Sequence, residues 1–102
     1  MSKLQGYKKI ANDARKRVLR LIYNAQTSHI GSNFSVTDLM TVLFDRSDLD
    51  RDKIILSKGW AAASIYYFLN KEGKITDKEL ATFPNPPFYG LAETSVPGVH
   101  VS

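Results

Sequence analysis

The sequence predicts an α/β fold that is mostly helical and contains about one short parallel strand. Apolar residues recur at intervals of three or four in residues 5–26 and again in residues 36–44, which indicates two amphipathic helices. The β-branched apolar run at residues 54–56 is flanked by charged and polar residues, as in a buried parallel strand. Such folds bind ligands beside the carboxyl ends of their strands, so the loop after residue 56 is a candidate functional site.

Composition places the chain among ordinary globular proteins. It has 102 residues, of which 43% are hydrophobic and 24% are charged, and no run approaches the roughly 18 apolar residues of a membrane span. We therefore expect residues 1–102 to form one domain or part of one, in the cytoplasm and without a membrane anchor. The sequence contains no cysteine, which excludes a disulfide, a thiol nucleophile and a zinc–thiolate site.

The formal charge of +4 is concentrated early in the chain. No aromatic-rich basic strand or recognised nucleic-acid motif accompanies these charges. We interpret them as the solvated face of the first helix and expect no nucleic-acid binding. They are Lys3, Lys8, Lys9, Arg15, Lys16, Arg17 and Arg20.

A polar turn separates the first two predicted helices. His29 lies in it, and Gly31 and Asn33 tolerate a positive φ, so we expect a tight turn here. Ser35 is expected to cap the second helix, because its hydroxyl can accept the Asp38 amide while Asp38 completes a capping box. That helix should bury an apolar face made of Val36, Leu39, Met40 and Leu43.

Two further helices are predicted after the strand. The first spans residues 60–70 and ends at Gly73. Thr76 and Glu79 form a capping box that opens a shorter helix, which reaches about Phe83 and is stopped by the prolines that follow. The rest of the chain lacks a helical period and should be extended loop.

Several motifs resemble the transketolase family. The stretch A-x-T-S-H-I-G-S-N-x-S-V-T-D-L-M-T-V-L at residues 25–43 is similar to the family's opening, where a small residue, a histidine, any residue and a glycine precede a helix. D-R-D-K-I-I-L-S-K-G, T-D-K-E-L-A-T-F and G-L-A-E-T-S-V-P-G-V-H-V-S follow in the family's order. The resemblance implies that residues 1–102 are the incomplete N-terminal part of a three-layer thiamine-diphosphate-binding domain.

The resemblance also implies an activity and its cofactors. A complete family member uses thiamine diphosphate and Mg²⁺ to transfer a two-carbon ketol unit between sugars, at a site on a subunit interface. The family's diphosphate loop and magnesium-binding segment would follow Ser102, and its activating glutamate belongs to another domain. We therefore expect a truncated or split fragment that is inactive alone and does not bind the cofactor tightly. It would join the rest of the enzyme as a dimer or heteromer, with sugar phosphates as substrates.

Five residues are candidates for the site. Three histidines usually line the family's active-site channel, and the one retained here is His29, which with Thr27 is implied to contact the sugar or its reacting oxygen. Gly59 and Trp60 stand at the second histidine motif and are implied to lie against the cofactor, while Leu91 replaces the third histidine beside the substrate. The residues alone leave open that His29 caps a helix end and that Trp60 packs in the core.

Two other functions fit the sequence. H-I-G-S-N-x-S-V-x-x-L also resembles the opening of deoxyxylulose-phosphate synthases, which use the same cofactor. An interpretation from a different class is a small basic helical module that binds a protein or an anionic polymer without catalysis.

Overall fold

The computed structural model describes residues 2–26, 29–56, 61–85 and 100–101. Within these ranges the chain is mostly helical, as predicted, and its strands are short. β1 pairs in parallel with β2, with Ile55 opposite His100 and Leu56 opposite Val101. The elements in order are α1 (Lys3–Ala25), α2 (Ile30–Arg46), β1 (Ile55–Leu56), α3 (Ala62–Lys71), α4 (Asp77–Leu80) and β2 (His100–Val101).

α1 confirms the first predicted helix and begins with a cap that was not predicted. Ser2 Oγ accepts the Gln5 N–H at 3.1 Å, and Gln5 Oε1 accepts the Ser2 N–H at 3.0 Å. This capping box starts the helix at Lys3, slightly before the predicted residue 5. The buried face of α1 consists of Ala11, Ala14, Val18, Leu21 and Ile22.

α2 begins at Ile30 instead of residue 36. The tight turn predicted at Gly31 and Asn33 is wrong, because both residues lie inside the helix. Among the described residues other than glycine, left-handed backbones occur at Gln26, with φ 53°, and at His29, with φ 71°. Both residues precede the positions at which the sequence predicted a positive φ.

The predicted capping box of Ser35 and Asp38 is also wrong. Ser35 Oγ donates to the Ser32 carbonyl at 3.1 Å inside the helix. The Asp38 carboxylate accepts a hydrogen bond from Arg15 of α1 at 3.2 Å. Serine and aspartate are favoured at helix N-caps, but Ser35 and Asp38 both lie inside α2.

α2 is also rotated relative to the prediction. Met40 is buried as expected, but Leu39 is 60% exposed and Leu43 is 39% exposed. Polar residues take the inward positions instead, because their hydrogen bonds and small size fit the contact with α3. The buried residues of α2 are Asn33, Thr37, Met40, Thr41 and Phe44.

α3 is the centre of the core and packs against α1, α2 and α4. Its small residues Ala62 and Ala63 are buried and allow neighbouring helices to approach closely. The Phe68 ring stacks on Phe44 of α2 with centroids 5.3 Å apart. The Tyr66 ring meets Phe83 edge-on at 6.2 Å. These contacts join three segments that are distant in sequence into one hydrophobic core.

The predicted ends of the last two helices are largely confirmed. Gly73, at φ 80°, follows α3, and this left-handed geometry is one that glycine adopts without strain. Thr76 Oγ1 accepts the Glu79 N–H at 3.1 Å, and Glu79 Oε1 accepts the Thr76 N–H at 3.0 Å. The α-helix itself ends at Leu80, earlier than predicted, and continues as turns. None of the described helices combines the length and apolar character needed to cross a bilayer.

The rotation of α2 predicts opposite outcomes for two adjacent substitutions. Met40→Ala should lower the free energy of unfolding by about 2–5 kcal/mol, because it empties space in the core. Leu39→Ala should change it by about 0.5 kcal/mol or less, because that side chain is exposed. Urea unfolding of the two variants makes the comparison. Equal losses would show that α2 presents the face that its apolar pattern suggested.

Candidate functional site

His29 lies immediately before α2 and holds an unusual backbone conformation. Its φ of 71° and ψ of 27° fall in the left-handed region, where histidine, asparagine and aspartate are enriched among non-glycine residues. The side chain is exposed and makes no capping hydrogen bond to α2, although His29 occupies the N-cap position. The helix-capping role that the sequence left open is therefore not the one the imidazole plays.

Asn33 fixes the backbone of His29. The His29 carbonyl accepts the Asn33 amide N–H at 3.1 Å and the Asn33 Nδ2–H at 2.9 Å. Two donors on one carbonyl leave this peptide little freedom to rotate. The Cα atom that carries the imidazole is thus held relative to the first turn of α2.

The same Asn33 side chain joins α2 to α3. Its Oδ1 accepts the Ser64 N–H at 2.8 Å, and Ser64 Oγ donates to the Asn33 carbonyl at 3.0 Å. Ser64 is in the first turn of α3, where backbone amides have no acceptor within the helix, and the N-cap residue Ala61 has no side-chain acceptor to offer. Asn33 therefore supplies the missing acceptor from another helix.

The contact with Ser64 joins His29 to the part of α3 that follows β1 in the chain. The chain runs from the carboxyl end of β1 through residues 57–60 into α3, so the first turn of α3 lies on the side where parallel strands end. Ligands of α/β proteins bind at that side. Through the Asn33 side chain, the backbone of His29 is hydrogen-bonded to the same residue that reaches the first turn of α3.

Of the five predicted site residues, His29 is the one that falls in the described part of the chain. An imidazole there can donate and accept hydrogen bonds. The other four lie outside the described ranges. The residues outside them are Thr27, Gly59, Trp60 and Leu91.

The described residues do not supply a metal site. No group of three or more histidine, cysteine, aspartate or glutamate side chains in residues 2–26, 29–56 and 61–85 is arranged to hold an ion. The alternating aspartates after α2 serve the backbone instead, since Asp48 Oδ1 accepts the Asp50 N–H at 3.0 Å and Asp52 Oδ2 accepts the Asp48 N–H at 2.9 Å. This segment is an exposed connection, as the sequence indicated.

The pKa values of Lys9, Asp13 and Tyr67 are shifted at the contact between α1 and α3. Lys9 Nζ and Asp13 Oδ2 lie 2.9 Å apart on the surface, and their hydrogen bond raises the pKa of Lys9 and lowers the pKa of Asp13. Partial burial raises the pKa of Tyr67, and the nearby Asp13 carboxylate adds to that effect. The arrangement belongs to the α1–α3 contact and has no role in the His29 geometry.

Sequence reasoning missed the polar residues that support His29. Asn33 was assigned to a turn, and Ser64 was not singled out. A usable signal exists, because Asn33, Thr37 and Thr41 recur every four residues and so form a polar stripe along α2. The helix at Ala61 also starts without a capping residue of its own, which suggests an acceptor from elsewhere.

We expect Asn33→Ala to lower the free energy of unfolding by about 1–3 kcal/mol, because it leaves the buried Ser64 N–H without an acceptor. Hydrogen exchange of the Ser64 amide should accelerate more than exchange at Phe68, in the middle of the same helix. Asn12→Ala, at an exposed position of α1, is the matched control and should leave both measurements nearly unchanged. Unchanged protection of Ser64 in Asn33→Ala would contradict the tie between the helices.

Comparison with known proteins gives a distant similarity. No protein-family model matches the chain, and no solved structure matches it. Among curated proteins, it is similar to an apulose-4-phosphate transketolase subunit of Phocaeicola vulgatus, with 27% identity over 99 residues. The match covers 86% of this chain but 35% of the relative, so the chain spans about a third of that protein's length. The chain is thus distantly similar to a transketolase subunit over most of its own length.

Proposed function

We propose that this chain is the N-terminal part of a transketolase-like enzyme that transfers a two-carbon ketol unit between sugars. The observation that carries the proposal is the similarity, over 86% of the chain, to a transketolase subunit. The motif that begins at His29 supports the proposal, since His29 is exposed and its backbone is joined through Asn33 to the first turn of α3. Because the chain spans 35% of the relative, the activity is assigned to the enzyme completed by further polypeptide.

His29 is proposed to hydrogen-bond the substrate sugar or its reacting oxygen. Its backbone is held by Asn33, so the ring projects from a fixed point while remaining accessible. A positioned imidazole can stabilise developing negative charge on an oxygen and can move a proton to or from it. Thr27 and Leu91 are proposed to line the same channel, and Gly59 and Trp60 to lie toward the cofactor. Their support is the family resemblance of the motifs in which they stand.

Thiamine diphosphate and Mg²⁺ are proposed as cofactors of the complete enzyme. The described residues of this chain do not fit the metal, because they hold no cluster of ligating side chains. On the family resemblance, we propose that the magnesium site and the diphosphate site belong to the rest of the enzyme. In this division, the present chain orients the sugar.

The substrate class and the partner follow from the same comparison. The relative is described as one subunit of a transketolase for apulose 4-phosphate. We propose that this chain acts on a sugar phosphate and that a separate polypeptide completes its enzyme as a heteromer.

The division of the cofactor site predicts weak binding by this chain alone. Titration calorimetry with thiamine diphosphate in excess Mg²⁺ should give no binding tighter than about 100 μM, because the family's diphosphate loop and magnesium-binding segment are not among the motifs of this sequence. A titration with Mg²⁺ alone controls for non-specific heats. Micromolar affinity would contradict the division and would place the cofactor site within this chain.

The proposed role of His29 predicts a specific loss of turnover in the completed enzyme. His29→Asn removes the imidazole but keeps a residue that tolerates the left-handed backbone. We expect ketol transfer to fall about 10- to 1,000-fold, the effect of losing a catalytic hydrogen bond, with the melting temperature nearly unchanged.

Gln26→Ala is the matched control, since Gln26 is the other described non-glycine residue with a positive φ. It should lower stability without lowering turnover per folded molecule. If His29→Asn melts early yet keeps its turnover, His29 has a structural role and the assignment is withdrawn.

A further inference from the structure

The charge of this protein is concentrated on α1. That helix contains seven lysines and arginines and one acidic residue, a net charge of +6, whereas the whole chain carries +4. The rest of the chain is therefore net acidic. Packing of α1 against its own domain does not require this excess of positive charge. A positively charged surface attracts negatively charged ligands.

Two of these cations are neutralised by carboxylates nearby. Lys9 pairs with Asp13 at 2.9 Å, and Arg15 pairs with Asp38 at 3.2 Å. Lys16 and Arg20 are both exposed, and neither forms a salt bridge with a carboxylate of the described residues. They lie one helical turn apart and so point along the same face.

Apolar side chains lie directly beside these two cations. Leu19 is 51% exposed and Tyr23 is 71% exposed, although both are large enough to gain from burial. Together with Lys16, Arg20 and Asn24 they line a shallow cleft of about 620 Å³, which we call the α1 cleft. A cation pair beside a pair of large apolar side chains is the composition of a protein-binding surface.

The α1 cleft is a groove between two ridges of side chains, which suits the packing of another helix. Lys16, Arg20 and Asn24 form one ridge of residues spaced by four, and Leu19 and Tyr23 form the neighbouring ridge. The groove between two such ridges accepts the corresponding ridge of another helix, which is the commonest mode of helix packing. One side of this groove is cationic and the other side is apolar.

We propose that the α1 cleft binds an acidic amphipathic helix of a partner protein. The partner's apolar residues lie against Leu19 and Tyr23, and its carboxylates pair with Lys16 and Arg20. A second copy of this chain is disfavoured, because pairing α1 with α1 would bring two helices of net charge +6 together. A nucleic acid would use the cations but would leave the aliphatic Leu19 without a role. The inference is independent of the ketol-transfer activity.

The test uses the full chain and a synthetic peptide of about 16 residues, long enough to form a helix when stapled. The peptide carries leucines spaced by four with glutamates on one flank, and a second peptide has glutamine in place of each glutamate. Fluorescence anisotropy measures affinity at low salt, and amide chemical shifts locate the contact. We expect the acidic peptide to bind at least about tenfold more tightly than the glutamine peptide. Its shift changes should centre on Leu19, Arg20 and Tyr23.

Matched variants separate the cleft from the overall charge. Lys16→Glu/Arg20→Glu should weaken the acidic peptide at least about tenfold, whereas Lys3→Glu/Lys8→Glu changes the net charge equally on the same helix and should weaken it about threefold or less. Leu19→Ala/Tyr23→Ala should weaken both peptides. All six positions are exposed, so circular dichroism should show that each variant keeps the wild-type fold.

Three outcomes would overturn the proposal. One is equal weakening by the two charge-reversed variants, which would indicate non-specific attraction. Another is the absence of acidic-peptide binding, or shift changes on a different face. The third is tighter binding of single-stranded DNA or of phosphatidylglycerol vesicles with shift changes at the same residues, which would assign the surface to a polyanion or a membrane.

Discussion

The amide of Asn33 joins α2 both to the backbone of His29 before it and to the first turn of α3. Its Nδ2 donates to the His29 carbonyl, and its Oδ1 accepts the Ser64 N–H. The residue is 2% exposed, and Ser64 is fully buried. A buried amide is tolerated because both of its polar atoms have partners, and for the same reason any other rotation of α2 would leave polar groups unpaired in the core.

This constraint explains why polar residues of α2 face the core beside Met40 and Phe44. Thr37 and Thr41 face inward, where their hydroxyls donate to the Asn33 and Thr37 carbonyls one turn earlier, at 2.7 and 2.8 Å. These internal bonds satisfy the hydroxyls, so that Thr37 and Thr41 are buried with little penalty. Leu39 and Leu43 are left on the outside as a consequence.

The functional proposals rest on different parts of the same helical framework. His29 is at the start of α2, beside the first turn of α3, and its fixed backbone suits a residue that orients a sugar. The α1 cleft lies on the face of α1 opposite its buried residues and is suited to binding a partner.

Local signals in the sequence determined the helical character, the position of β1, the glycine at the end of α3 and the capping box of Thr76 and Glu79. Each of these depends on residues within a turn or two of one another, so spacing and residue type suffice. The sequence also placed His29 between the first two helices. It assigned the positive φ to the wrong residues, because Gly31 and Asn33 favour that conformation more strongly than Gln26 does.

Only the tertiary structure decided where α2 begins and which face it buries. The deciding hydrogen bonds join Asn33 to Ser64, which are 31 positions apart. The four-residue spacing of Asn33, Thr37 and Thr41 marks a polar stripe on α2, but it does not identify the partner on α3. Leu39 and Leu43 do have helical spacing, but in the folded chain they lie on the exposed side of α2. Burial of a satisfied amide in the first turn outweighed that pattern, because an unpaired buried amide costs more than an exposed leucine.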